Sequence, residues 1–101
     1  MFLITFPLFL ESPYIISPSG GLCSDSGDQD IATLPECEVA ASKLNVNYPT
    51  SEDSTFYPKG CYVYGSSSVY FNTHVTGSAK QNARPICKPT GKLINLLDFG
   101  T

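Results

Sequence analysis

Few side chains in this sequence could do chemistry, and four cysteines, Cys23, Cys37, Cys61 and Cys87, lead them. Thiols either ligate a metal ion or pair as disulfides. A zinc site brings two cysteines onto one tight turn, as in C-x2-C, so that both sulfurs reach the same ion. Here the intervals are 13, 23 and 25 residues, and no pair is close. In a chain of 101 residues that spacing reads as two disulfides. Disulfides persist where thiols are not kept reduced, so a secreted or extracellular protein is expected.

His74 is the one histidine. A Ser–His–Asp site would need it beside a nucleophile, yet no G-x-S-x-G elbow occurs and a module this small has little room for a cleft. The expectation is a loop histidine, no catalytic residue and no enzyme. Asp25, Asp28 and Asp30 crowd one turn, with Glu36 and Glu38 soon after. Hard oxygen ligands at that density make a weak calcium candidate. They fail the D-x-[DN]-x-[DN]-G pattern, because Asp28-Gln29-Asp30 runs into Ile31-Ala32. Carboxylates ahead of a helix N-terminus are also favoured by its dipole alone. Neither a metal nor a cofactor is expected. Tyr57, Tyr62, Tyr64, Tyr70 and Phe71 form the other cluster. Tyrosine offers a large apolar face and a hydroxyl at low entropic cost, which suits contact with a protein or glycan. Core packing is its competing use. Tyr62, Tyr64 and Tyr70 are the candidate ligand contacts, with a binding face favoured if Tyr62 and Tyr64 are exposed together.

Net charge is −3, and six Lys and Arg residues are scattered without a basic stripe. A surface that tracks phosphates is missing, so nucleic acid is not an expected partner. No N-x-[ST] sequon occurs. The run Phe2-Leu3-Ile4-Thr5-Phe6-Pro7-Leu8-Phe9-Leu10 has the length of a signal-peptide apolar core and is too short to span a bilayer. Three readings compete for it: a short signal peptide, the truncated end of a longer export or membrane segment, and a first β-strand. Because the cysteines independently call for export, residues 1–12 are read as an export segment, the chain's only expected contact with a membrane. Residues 13–89 form the cysteine-bearing module and 90–101 a C-terminal tail.

The elements that must position these residues are short. Thr33 and Glu36 have the spacing of a capping box, and Pro35 sits in the first turn, where a missing N–H costs nothing. Cys37, Ala40, Ala41 and Leu44 then repeat at helical spacing, giving one narrow buried stripe. Asn45 suits a left-handed stop, with Val46 folding back. Asn47–Lys59 reads as a surface loop. Cys61–Tyr64 and Ser68–Thr73, joined at Gly65-Ser66-Ser67, make the best hairpin. Alternation puts Cys61 and Val63 on one face, Tyr62 and Tyr64 on the other. His74–Ala83 reads as a second loop. Arg84–Lys88 follows as a strand that Pro85 permits only at an edge. Tyr14-Ile15-Ile16 is a further β-prone run. Four cysteines allow three connectivities. Cys37–Cys61 with Cys23–Cys87 is the expected set, since a helix cysteine faces the start of the hairpin and the other two flank the terminal strands.

Cys23, the acidic turn, Ile31-Ala32-Thr33 leading into Glu36-Cys37-Glu38-Val39-Ala40-Ala41, Gly60-Cys61-Tyr62, Val69-Tyr70-Phe71-Asn72 and Ile86-Cys87-Lys88 also form a combined pattern. From Tyr14 to Lys88 it resembles a small four-cysteine module that recurs in extracellular proteins of marine microalgae and other protists. The resemblance implies a fold and an extracellular setting; it carries no catalytic or ligand residue to transfer. The expected architecture is a small disulfide-rich α+β domain, one short helix packed on a three- to four-stranded antiparallel sheet. The expected role is non-enzymatic recognition or adhesion, binding protein or glycan. The alternative is a structural spacer or wall-associated domain with no specific ligand, and a small hydrolase or inhibitor-like protein comes third.

Overall fold

A computed structural model describes residues 13–89. The export segment expected over residues 1–12 and the tail over 90–101 lie outside the described residues. The chain order is β1 (Ile15–Ile16), a 3-10 turn (Cys23–Ser26), β2 (Gln29–Asp30), α1 (Leu34–Lys43), β3 (Thr50–Glu52), β4 (Pro58–Tyr64), β5 (Ser68–Gly77) and β6 (Ala83–Lys88). One helix lies against one sheet, as expected for an α+β domain. The sheet is larger than expected and mixed: six strands in the order β1-β6-β4-β5-β3, with β2 also paired to β6.

The helix forms where its sequence signals stand. The Thr33 side chain accepts the Glu36 N–H at 3.2 Å, so half of the capping box is present. The Glu36 carboxylate turns away from the cap to accept the Tyr14 hydroxyl at 3.3 Å and the Lys88 ammonium at 3.2 Å. At the other end Asn45 takes a left-handed φ of 60°. The Val46 N–H reaches the Ala41 carbonyl and the Asn45 N–H the Ser42 carbonyl, the paired bonds that close a helix on a left-handed residue. The buried face of α1 is Cys37, Ala40 and Ala41. Small side chains bring helix and sheet close but bury little apolar area. They meet Ile31, Cys61, Val63, Val69, Phe71 and Ile86, with Val46, Leu44 and Leu34 packed at the margin.

Both disulfides join the expected partners, Cys23–Cys87 and Cys37–Cys61, and no free cysteine remains among the described residues. The second bridge fastens α1 to β4 inside the core cluster.

Four expectations need correction. Pro85 does not lie on an edge strand, because β6 pairs with β4 and, further along, with β2 on one side and with β1 on the other. It is tolerated because its carbonyl, which accepts the Ser17 N–H at 2.8 Å, and its ring nitrogen face β1, whose pairing ends there at Ile16. The strand expected over Cys61–Tyr64 starts earlier, at Pro58. Pro58-Lys59-Gly60 is the first part of β4, with a register shift between Pro58 and Gly60. The expected loop at His74–Ala83 begins later, since β5 continues through Gly77. The expected loop at Asn47–Lys59 contains β3, which runs parallel to β5 with Thr50 opposite Tyr70 and Glu52 opposite Asn72.

That last strand creates a crossover. β3 and β4 follow one another in sequence, yet β5 lies between them, so residues 53–57 must pass over β5. Asn72, buried on β5, holds the crossing in place. Its side-chain amide donates to the carbonyls of Ser54, Tyr57 and Pro58 at 2.8, 3.0 and 3.0 Å, and its oxygen accepts the N–H of Ser54 and His74. Gly77 belongs to the same crossing. With φ 59°, it lies so close that a Cβ there would stand 2.5 Å from the Lys59 nitrogen.

Candidate functional site

The β4–β5 pairing sets Tyr62 opposite Tyr70 on the sheet face away from α1, while Cys61 and Val63 face the core. Glu52 reaches that same outer face from β3. The crossover brings in Tyr57, whose ring lies nearly parallel to Tyr62 at 5.8 Å and edge-on to Tyr64 at 5.9 Å. On its other side Tyr62 stacks against Tyr70 at 5.5 Å. Four of the six tyrosines thus surround, with Glu52, a hollow of about 170 Å³. Lys80, from the connection after β5, sets its ammonium 5.6 Å from the Tyr57 ring centre.

The members of this cluster differ in access. Tyr62 is only 1 % exposed, whereas Tyr57, Tyr64 and Tyr70 are half-buried. Joint exposure of Tyr62 and Tyr64, the condition set for a simple binding face, is therefore not met. Neighbouring rings cover Tyr62 and make it the floor of the hollow, which leaves the contact surface to Tyr57, Tyr64 and Tyr70. Alternation along the sequence placed Tyr62 and Tyr64 opposite Cys61 and Val63, as found, and the candidate contact Tyr70 shares their face. Tyr57, grouped with these rings but not counted among the ligand contacts, joins them by way of the crossover, Glu52 was missed, and Phe71, grouped with them, faces the core instead. The hydroxyl of Tyr62 donates to the Glu52 carboxylate. Burial, and then that carboxylate as acceptor and as negative neighbour, push the Tyr62 hydroxyl far above the usual tyrosine range.

The remaining candidates lie apart from this cluster. The Asp25 carboxylate accepts the Leu22 N–H at 2.9 Å, that of Asp28 accepts the Ser26 hydroxyl at 3.0 Å, and Asp30 faces Lys59 at 3.8 Å. Each of the three aspartates has its own partner. Among the described residues no group of three His, Cys, Asp or Glu side chains converges to hold a metal ion. Nδ1 of His74 accepts the N–H of Thr76 and of Gly77, each at 3.2 Å, and also contacts the Thr76 hydroxyl. Its ring thereby stabilises the end of β5. His74, Asp30 and Lys59 border a larger open groove of about 870 Å³. There Asp30 pairs with Lys59, Lys88 with Glu36 and Asp28 with the Ser26 hydroxyl, while Nδ1 of His74 is engaged by Thr76 and Gly77, so these side chains point to local partners.

No protein family, no curated protein and no solved structure matches this chain.

Proposed function

We propose that this chain is a recognition or adhesion module working outside the cell, and that it contacts protein or glycan through the tyrosine face of the β4–β5 hairpin. One observation carries the reading: four tyrosines and a carboxylate gather around a solvent-open hollow on the sheet face opposite α1. A sheet face left to solvent ordinarily alternates short polar side chains, whereas rings here are spent on a surface cluster. Such rings give large contact area for little loss of side-chain freedom. Two disulfides in so small a domain are consistent with an extracellular setting, and the resemblance of the cysteine frame to extracellular protist modules agrees with it.

The competing reading is a spacer with no ligand, favoured by the way the rings pack on one another. Screening the oxidised protein against immobilised glycans and extracellular proteins separates the two. A specific partner should be found, and Tyr70→Ala and Tyr64→Ala should each weaken it by about tenfold, as truncation of an aromatic contact residue commonly does. Binding indifferent to both substitutions would remove the tyrosine face from the account. No binding at all would favour the spacer.

A further inference from the structure

We infer that the tyrosine hollow binds an alkylated ammonium cation, a group such as the trimethylammonium of choline or of a trimethylated lysine side chain. This rests on the recognition reading above and narrows its ligand.

The chemistry of the walls comes first. Among the described residues the hollow is lined by Tyr57, Tyr62, Tyr64, Tyr70 and Glu52 alone. It therefore offers ring faces, phenol oxygens and one carboxylate, with no cationic or amide donor. A sugar ring presents hydroxyls that both give and accept hydrogen bonds, and the donors in this lining are phenol hydroxyls alone, one of them already given to Glu52. A cation needs no donor. It is drawn to the negative face of an aromatic ring and to the carboxylate together.

A cation already rests on the cluster. The Lys80 ammonium lies 5.6 Å from the Tyr57 ring centre, inside the distance of about 6 Å at which the ring quadrupole attracts charge. Lys80 is exposed, on the turn between β5 and β6, so its contact can be exchanged. A primary ammonium is strongly hydrated and gives up water reluctantly. An alkylated ammonium has few or no N–H groups to satisfy and wraps its charge in methyl groups, which suits a hollow walled by rings.

Size points the same way. The volume of about 170 Å³ equals the space of roughly five or six liquid waters. Pockets that enclose drug-sized ligands begin near about 300 Å³. The hollow is therefore of head-group size and too small for an oligosaccharide chain. Tyr62 contributes from below, because its hydroxyl holds the Glu52 carboxylate on the rim.

The deciding experiment titrates the oxidised protein with choline chloride and, separately, with its neutral isostere 3,3-dimethyl-1-butanol. Ionic strength is held constant with sodium chloride, and tyrosine ring resonances are followed by NMR. Choline should shift Tyr57, Tyr64 and Tyr70 saturably, with the isostere weaker by about fivefold or more, the factor that corresponds to one ring–cation contact. Glu52→Gln, which keeps an acceptor for Tyr62, should loosen choline binding severalfold. A peptide carrying trimethyllysine, run in parallel, tells a side chain from a free small molecule, and saturation by either supports the assignment. Equal shifts from choline and the isostere, or no saturable shift from choline or the peptide, overturn it. The comparison of ligands on the unaltered protein stands even if a substitution disturbs folding. Should choline and the peptide fail while a partner found by screening still depends on Tyr70, the recognition reading survives without this ligand. Should both fail, neither stands.

Discussion

Asn72 shows how one polar residue can specify a chain crossing. It is 1 % exposed, yet all its hydrogen-bonding capacity is used by backbone groups of the 53–58 segment and by His74. Three carbonyls share two amide hydrogens, so the arrangement is saturated. Leucine fills similar space but leaves two N–H groups and three carbonyls without their partner, and a buried unpaired group costs about 1–3 kcal/mol. Asn72→Leu should therefore lower stability in urea by about 3 kcal/mol, with exchange of the Ser54 amide accelerated beyond the global change. A loss below about 1 kcal/mol would mean that water replaces the clasp. Tyr62 provides the pH-dependent counterpart. Its folded-state ionisation lies above the ordinary value of 10.0, first through burial and then through Glu52. With a raised folded pKa, the linked stability is complete below about pH 10 and is lost as pH rises beyond it, because only the unfolded chain can release the proton. Denaturant midpoints should fall steeply above pH 10. Tyr62→Phe should be about 1 kcal/mol less stable at pH 7 through the lost hydrogen bond, but flatter above pH 10. Some slope should persist, since burial and Glu36 raise Tyr14 as well. An identical alkaline slope in both proteins would show that Tyr62 is not its source.

At the scale of elements, the helix depends on its bridge more than on its apolar face. The buried side chains of α1 are one cysteine and two alanines, and two alanines transfer little free energy on burial. Cys37–Cys61 supplies the covalent link between this helix and β4. In Cys37→Ala with Cys61→Ala, amide exchange should become fast across Leu34–Lys43 while the central strands β4 and β5 keep most of their protection. Uniform loss across both would show that helix and sheet unfold as one unit. What could be read from the sequence follows the same division. The helix limits, the hairpin and both bridges rest on local signals: a threonine cap, an asparagine stop, alternating tyrosines, and cysteines placed on elements already assigned. β3 could not be found that way. Thr50-Ser51-Glu52 has neither an apolar pattern nor a turn partner, and it is a strand because β5 offers it a parallel edge. The same non-local pairing hid Glu52 and kept Tyr57, grouped with the other rings by type, out of the candidate contacts. An asparagine within Val69-Tyr70-Phe71-Asn72 was the one available hint, since a polar residue in an apolar run usually satisfies something buried. Pro85 was misplaced for a related reason: a missing N–H argues against a neighbour on one side only, and which side depends on where β1 stops.

The two bridges together determine whether the whole domain exists. A domain of this size buries only about 60 % or slightly more of the surface its unfolded chain exposes, and folded domains retain net stabilities of about 5–15 kcal/mol. Cys23–Cys87 closes a separation of 64 residues and Cys37–Cys61 one of 24. On chain-entropy grounds these correspond to about 4 and about 3.5 kcal/mol. Their sum matches the stability of a typical small domain, so the reduced chain should retain almost none. The outer bridge also spans most of the described residues, running from the 3-10 turn beside β2 to β6. Its removal loosens both ends at once, where β1 and β2 each pair with β6 through only two residues. Cys23→Ala with Cys87→Ala should therefore lower the melting temperature at least as much as removal of the inner bridge, and exchange should rise first over Ile15–Ile16 and Gln29–Asp30. Full reduction and alkylation should abolish cooperative unfolding at 37 °C, read as loss of the near-ultraviolet tyrosine dichroism of the Tyr57–Tyr62–Tyr70 stack. A reduced chain that kept this signal and its urea midpoint would show that the packed core suffices alone. It would also remove the physical reason for placing the protein outside a reducing compartment, because only a fold that needs its disulfides requires conditions that preserve them.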